Sequence, residues 1–124
     1  MVFAGSTDEP ERYYGAADLL VHPTFYDACS RTVLEAMASG LPVITTTSNG
    51  ASGILTDGEE GFVIEDPRNI GNFSERIAFF WDEEKRKEVS LRSRRRIEHY
   101  TFDRDNKTLK EIIHRSTPQM ESVL

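Results

Sequence analysis

Short apolar runs alternate with helical patterns through the first half of the chain. Runs of three residues, rich in apolar and β-branched side chains, predict four strands: Val2–Ala4, Leu19–Val21, Val43–Thr45 and Phe62–Ile64. Helical patterns between them predict helices over Glu9–Ala17 and Arg31–Ser39. Strands this short that do not alternate apolar with polar residues are typical of sheets covered on both faces. The pattern therefore predicts an α/β domain with a parallel sheet of about four strands.

The second half of the chain carries helical patterns only. They predict helices over Ile70–Trp81, Glu83–Tyr100 and Asp103–Arg115. The middle one is mostly charged and is expected outside the sheet. The outer two carry apolar residues at helical spacing that we expect to face the core: Ile70, Phe73, Ile77, Phe80 and Trp81, then Leu109, Ile112 and Ile113. We expect one partial domain over residues 1–116, with an αβ part (1–67) and a helical part (68–116), and a loose tail over 117–124.

Composition limits the classes of protein that this chain can represent. Its 124 residues suffice for a single core. The single cysteine, Cys29, fits a reducing compartment, so we expect a cytoplasmic protein. A larger parent enzyme could lie at the periphery of the inner membrane face. The three histidines are scattered, and no metal site is expected.

A basic cluster, Arg92 with Arg94–Arg96, raises the question of nucleic acid or an anionic membrane as a partner. It lies among acidic neighbours near a predicted helix end, where positive charge complements the helix dipole. We therefore interpret the cluster as a solvated helix end and expect no nucleic-acid partner.

The most informative stretch for function is Pro23 to Val43, PTFYDACSRTVLEAMASGLPV. Ser30 has the character of an N-cap, and Gly40 with Pro42 that of a helix stop. Such a helix start exposes the backbone N–H groups of residues 31–33, which attract anions. Open parallel sheets bind ligands beyond the carboxyl ends of their strands, where both this loop and residues 46–51 are expected.

Acidic residues flank this predicted helix start. Asp27 precedes it and Glu35 lies inside the helix, so carboxylates could accept hydrogen bonds from sugar hydroxyls. Each residue also has a simpler interpretation: Asp27 as a turn or cap residue, Glu35 as an exposed helix position, and Arg31 as a local partner of Asp27 or Glu35 instead of a phosphate. The simpler interpretations also include Cys29 as a small packed residue, His22 as the end of a strand and Asn49-Gly50 as a turn.

The segments Ala17–Ala51 and Asp57–Pro67 together resemble the C-terminal domain of retaining glycosyltransferases with the GT-B fold, family 4 (group 1). The shared features are two acids with seven residues between them, here Asp27 and Glu35, the run EAMASGLPV that starts at Glu35, and the later DGEEG. The family usually has glutamate where this chain has Asp27. Ala28-Cys29-Ser30 stands in place of a common Gly-Phe-Gly, a variant that is similar to lipopolysaccharide-type transferases.

The resemblance implies a Rossmann-like fold and a role for each matching residue. Glu35 would accept hydrogen bonds from the ribose of a UDP- or GDP-linked sugar. Asp27 would be the catalytic carboxylate that holds the sugar. The N–H groups of residues 28–31 would bind sugar and phosphate: Ala28, Cys29, Ser30 and Arg31. It further implies front-face transfer with retention to a sugar or lipid-linked acceptor, in polysaccharide biosynthesis, without a metal or other cofactor.

The resemblance also implies that this chain is the second half of the donor-binding lobe. The acceptor lobe and the remainder of the parent enzyme would be partners, and the isolated chain would be inactive. An exposed sheet edge near Val2–Ala4 would favour self-association. Two other functions stay open: a nucleotide-sugar epimerase of the same fold, and a non-catalytic nucleotide-sugar-binding or assembly module.

Overall fold

The computed structural model describes residues 1–100 and 102–116. Three parallel strands lie in the order β1-β2-β3, with Leu20 opposite Val43 and Val43 opposite Gly61. The predicted parallel α/β fold is confirmed. The helices and strands follow one another as α1 (Pro10–Ala16), β1 (Leu20–Val21), α2 (Arg31–Ala38), β2 (Val43–Thr46), a 3-10 helix (Gly50–Ile54), β3 (Gly61–Ile64), α3 (Ile70–Phe79), α4 (Glu83–Ile97) and α5 (Phe102–Ser116).

The central strand β2 is buried along its whole length and separates two apolar clusters. Val43 belongs to the cluster that α2 covers, and its neighbour Ile44 belongs to the other. The first also contains Val33, Ala36, Met37, Leu41, Ala51 and Leu55; the second also contains Phe62, Ile64, Phe73, Phe80 and Val89. Because successive strand residues point to opposite faces, both faces of the sheet are covered, as the unalternating apolar pattern indicated.

Helix α2 begins and ends as its sequence signals predict. The Ser30 hydroxyl accepts a hydrogen bond from the Val33 N–H at 3.4 Å and so caps the helix start. Gly40 follows the helix with φ +79°, a left-handed conformation that favours glycine. These local signals place the start of α2 directly behind the loop that carries the candidate site.

The structure corrects the prediction of a first strand at Val2–Ala4. These residues are not in a strand and are exposed, because the described residues offer them no neighbouring strand. In the part of the chain that the structure describes, the sheet has three strands instead of four. With no strand at Val2–Ala4, β1 (Leu20–Val21) is an edge strand of the sheet. Self-association through a sheet edge stays a prediction, and the edge concerned is β1.

For several apolar residues, the prediction that they face the core is wrong. Ile70 is 77% exposed because it lies directly after the cap residue Asn69, and Trp81 is 82% exposed because α3 has ended at Phe79. Leu109, Ile112 and Ile113 are each 54% exposed on α5. The periodicity located the helices correctly, but it did not predict that the apolar side of α5 stays about half exposed.

The helical part otherwise agrees with the prediction that α4 lies outside the sheet. It packs against α2, where the buried Ser93 hydroxyl donates to the Leu41 carbonyl at 3.3 Å. Arg96 donates to the Ile54 carbonyl at 2.9 Å, and Arg92 pairs with Glu88. Arg94 Nε also lies 4.0 Å from Glu98 Oε1, so three members of the basic cluster have structural partners. The predicted loose tail over 117–124 lies outside the described residues.

Candidate functional site

The loops after β1 and β2 join at Asp27. Its N–H donates to the Ser48 carbonyl at 3.1 Å, and its own carbonyl accepts from the Gly50 N–H at 2.8 Å. These bonds make a parallel bridge between residues 27 and 49 beyond the named strands. The two loops predicted to lie at one sheet edge are therefore hydrogen-bonded to each other.

Gly50 allows the loops to approach this closely. A Cβ atom at this position would lie 1.7 Å from the Ala28 carbonyl oxygen, well inside any permitted contact. Asn49 caps the 3-10 helix that begins at Gly50, so the pair starts a helix instead of forming the isolated turn that its sequence indicates. The need for glycine here comes from the loop before α2.

Asn49 is the residue that sequence analysis underestimated. It is fully buried, and its Oδ1 accepts from the N–H groups of Ser30 at 3.2 Å and Ala51 at 3.0 Å. Its Nδ2 donates to Thr45 Oγ1 at 3.1 Å. One side chain thus ties the end of β2 to the start of α2. A polar residue two positions before a buried alanine was the only signal, and it is too common to identify such a role.

The Asp27 carboxylate is held on the same loop and stays partly open to solvent. Its Oδ1 accepts from the Cys29 N–H at 3.1 Å, which is the predicted turn arrangement. Its Oδ2 lies 3.6 Å from Nε2 of His22, and the Asp27 side chain is 34% exposed. Asp27 therefore both stabilises the turn and presents an acidic group at its surface.

The N–H groups at the start of α2 divide into two sets. In the first set, the Cys29 N–H donates to Asp27 Oδ1 and the Ser30 N–H to Asn49 Oδ1. The Val33 N–H donates to the Ser30 hydroxyl. The prediction that the Val33 N–H is unpaired is wrong, because Ser30 caps it. Among the described residues, those of Ala28, Arg31 and Thr32 donate to no protein acceptor. The helix start keeps open donors, but fewer than predicted.

Glu35 lies half-exposed and both of its oxygens have a partner. The Tyr14 hydroxyl donates to Oε2 at 3.1 Å, and Arg31 Nη2 lies 3.4 Å from Oε1. The local pair between Arg31 and Glu35, one of the two interpretations of Arg31, is therefore formed. Glu35 also lines a cleft of about 370 Å³. Other residues that line this cleft are Cys29, Leu34, Ala38, Ile54, Ile97, Tyr100 and Asp105.

Tyr14 gives the Glu35 site a measurable pH dependence. Burial, followed by the hydrogen bond to Glu35, raises the pKa of Tyr14 above its ordinary value of 10.0. Since the folded state favours the neutral hydroxyl, the stabilisation is full below pH 10.0 and is lost as the pH rises through the raised pKa. We expect Tyr14→Phe to flatten the alkaline fall in the free energy of unfolding, measured by urea denaturation across this range. Tyr26→Phe, at an exposed tyrosine, is the control; parallel curves for Tyr14→Phe and wild type would contradict the expectation.

The DGEEG motif organises the turn before β3. Asp57 Oδ1 accepts from the Val63 N–H at 2.9 Å, and the Gly58 N–H donates to the Gly61 carbonyl at 2.8 Å. Gly58 has φ +85°, and a Cβ at Gly61 would lie 2.0 Å from the Val43 carbonyl oxygen. Both glycines are thus required by the backbone. The residues of the motif thus have a structural role that does not involve a ligand.

Two negative findings concern the described part of the chain. No three His, Cys, Asp or Glu side chains there are grouped so that they could hold a metal ion. In residues 1–100 and 102–116, no helix is both long and apolar enough for a membrane crossing.

Known proteins share both sequence and fold with this chain. Lipopolysaccharide glucosyltransferase WaaG of Escherichia coli is 42% identical over 65 residues, which cover 52% of this chain and 17% of WaaG. Sucrose-phosphate synthase from Thermosynechococcus elongatus superposes with a TM-score of 0.83 at 21% identity, covering 94% of this chain and 30% of the synthase. Anabaena Alr3699/HepE, solved in complex with UDP-glucose, gives a TM-score of 0.70 at 22% identity and covers 87% and 30%.

The chain thus spans less than a third of the length of each of these proteins. The two structures share its fold, which is part of the GT-B architecture. The family model described as "Glycosyl transferases group 1" matches residues 1–100, and it includes β1, α2 and both loops of the site. The chain belongs to the glycosyl transferases group 1 family.

Proposed function

We propose that this chain forms part of the donor-binding half of a retaining glycosyltransferase that uses a UDP- or GDP-linked sugar. The observation that carries the proposal is the start of α2, where open N–H groups of Ala28, Arg31 and Thr32 lie between the acids Asp27 and Glu35. Family membership supports the class of reaction. The complex of Anabaena HepE with UDP-glucose supports the class of donor.

Glu35 is assigned to the ribose of the nucleotide. A carboxylate offers about four lone-pair positions, and the contacts with Tyr14 and Arg31 leave room for paired hydroxyls on its exposed side. Those two contacts also fix the carboxylate before the ligand arrives. Less side-chain freedom is then lost on binding.

Asp27 and the open N–H groups are assigned to the sugar and the diphosphate. The helix start favours negative charge, so the Ala28 and Arg31 N–H groups are the proposed phosphate donors. The N–H groups of Cys29 and Ser30 hold the turn in shape, and the exposed side chain of Cys29 borders the sugar. Asp27 accepts hydroxyl hydrogen bonds and stabilises positive charge that develops on the sugar ring during transfer.

In the proposed reaction the acceptor attacks the face from which the nucleotide leaves. The departing phosphate takes the acceptor proton, so this chain supplies positioning and electrostatic stabilisation. No metal or other cofactor is proposed, because the helix start meets the phosphate charge. The acceptor, a sugar or a lipid-linked sugar, is assigned to the remainder of the parent enzyme in the cytoplasm, and the isolated chain is expected to be inactive.

Titration of the chain with UDP-glucose and GDP-mannose, followed by amide chemical shifts, tests the proposal. We expect shift changes at residues 28–33 with one of the two donors. Glu35→Gln should weaken the affinity about tenfold, since a hydrogen bond to a charged group contributes about 1.5–3 kcal/mol. Glu75→Gln on the exposed side of α3 is the matched control. Equal affinities of the two variants, or shift changes confined to other regions, would refute the proposal.

A further inference from the structure

His22 lies at the end of β1 with its backbone held on both sides. Its N–H donates to the Ile44 carbonyl at 2.8 Å. Its carbonyl accepts from Thr45 Oγ1 at 3.1 Å and from the Thr24 N–H at 3.0 Å. The position from which its ring projects is therefore set by the sheet, independently of the loop that follows.

The ring nitrogen Nε2 of His22 is buried and has no hydrogen-bond partner among the residues that the structure describes. The polar atom that faces it is Asp27 Oδ2, at 3.6 Å, a few tenths of an ångström beyond an ordinary hydrogen bond. A buried polar nitrogen without a partner is unfavourable, because its desolvation is not compensated. A small rotation of the Asp27 carboxylate would satisfy it.

We propose that His22 is a positioning residue for Asp27 and that it carries its proton on Nε2. The Cys29 N–H holds Oδ1, and the His22 Nε2–H group holds Oδ2 when the carboxylate closes on it. With one donor on each oxygen, the plane of the carboxylate is fixed. The remaining lone pairs then point in defined directions at the hydroxyls of the donor sugar. This inference rests on the proposed function.

The short side chain of Asp27 makes such support effective. Aspartate has one rotatable bond fewer than glutamate, and the Asp27 backbone is bridged to the loop after β2. Two further contacts on the carboxylate therefore determine its orientation fully. A fixed acceptor binds the sugar with less loss of conformational freedom than a mobile one.

The test compares substitutions of His22 that differ in reach. Glutamine places an N–H donor where Nε2 lies, asparagine is too short to reach Oδ2, and phenylalanine keeps the ring without a donor. In the free chain, we expect long-range proton–nitrogen spectra to show the Nε2–H form of His22. The amide resonance of Cys29 should move in His22→Phe and His22→Asn and should stay near its wild-type position in His22→Gln.

Affinities for UDP-glucose and UDP then distinguish positioning from general structure. His22→Phe and His22→Asn should lower the preference for UDP-glucose over UDP by about fivefold, the order expected for one hydrogen bond. His22→Gln should restore it. Asp27→Asn is the reference variant and should lower the same preference.

Each other outcome gives a definite answer. Equal loss of UDP and UDP-glucose affinity, or an unchanged preference in His22→Asn while Asp27→Asn lowers it, would overturn the positioning role and leave the proposed function intact. An unchanged preference in Asp27→Asn itself would overturn the role of Asp27 in the proposed function. An unmoved Cys29 amide in both His22→Phe and His22→Asn would overturn the inference without any ligand.

Discussion

Gly50→Ala is expected to lower the free energy of unfolding by about 3 kcal/mol, at the upper end of typical overpacking costs. The added Cβ would lie 1.7 Å from the Ala28 carbonyl oxygen and 2.8 Å from the Ala28 carbonyl carbon. Because both are backbone atoms, no side-chain rotation can relieve the clash. The loops must separate, and the hydrogen bond from the Gly50 N–H to Asp27 is lost with them. Urea denaturation followed by far-ultraviolet circular dichroism measures the change.

Gly53→Ala is the matched control, in the same 3-10 helix. A Cβ at Gly53 would have no atom of the described residues within 4 Å, so this substitution should change the free energy of unfolding by less than about 1 kcal/mol. Equal effects of the two alanines would contradict the close approach at Gly50. Donor-induced amide shifts at residues 28–33 should be lost in Gly50→Ala and retained in Gly53→Ala.

Asn49→Ala is expected to cost about 3 kcal/mol through a different mechanism. It removes the acceptor of the Ser30 and Ala51 N–H groups and leaves a cavity at a fully buried position. Each buried N–H without a partner costs about 1–3 kcal/mol. The start of α2 should also loosen, which the hydrogen-exchange rate of the Ser30 amide would show directly.

Asn69→Ala separates this effect from the ordinary cost of losing an asparagine. Asn69 is exposed and caps α3 by accepting one hydrogen bond from the Asn72 N–H at 3.0 Å. Its removal should cost about 1 kcal/mol, as for other helix caps. If Asn49→Ala were no more destabilising than Asn69→Ala, the buried network would not be what joins the two loops.

Local signals were sufficient where the structure depends on neighbours in the sequence. Ser30 and Gly40 fix the ends of α2 through bonds and backbone angles within a few residues, and the unalternating apolar run of β2 follows from burial on both faces. The family resemblance rests on the same stretch and was confirmed by the family match. These parts could be predicted because their causes are local.

Predictions failed where a distant partner decides the outcome. Val2–Ala4 has the composition of a strand but no strand beside it in the described residues. Leu109 has helical spacing on α5 but stays 54% exposed. Asn49 gained its role from Ser30, nineteen positions away, and no pattern near either residue reveals that bond. The roles of Asp27 and Glu35 toward a donor stay predictions.

The Asn49 amide oxygen accepts one hydrogen bond from each loop, which matters for building chimaeras with related enzymes. Because one amide oxygen sets the spacing of both loops, residues 23–30 and 46–51 form a single exchangeable unit. Suppose that only the first loop is grafted from a homologue with a different donor preference. The N–H group at position 30 would then no longer be matched to the position of the Asn49 amide oxygen. Altering sugar preference in this scaffold therefore calls for transplanting the two segments as a pair.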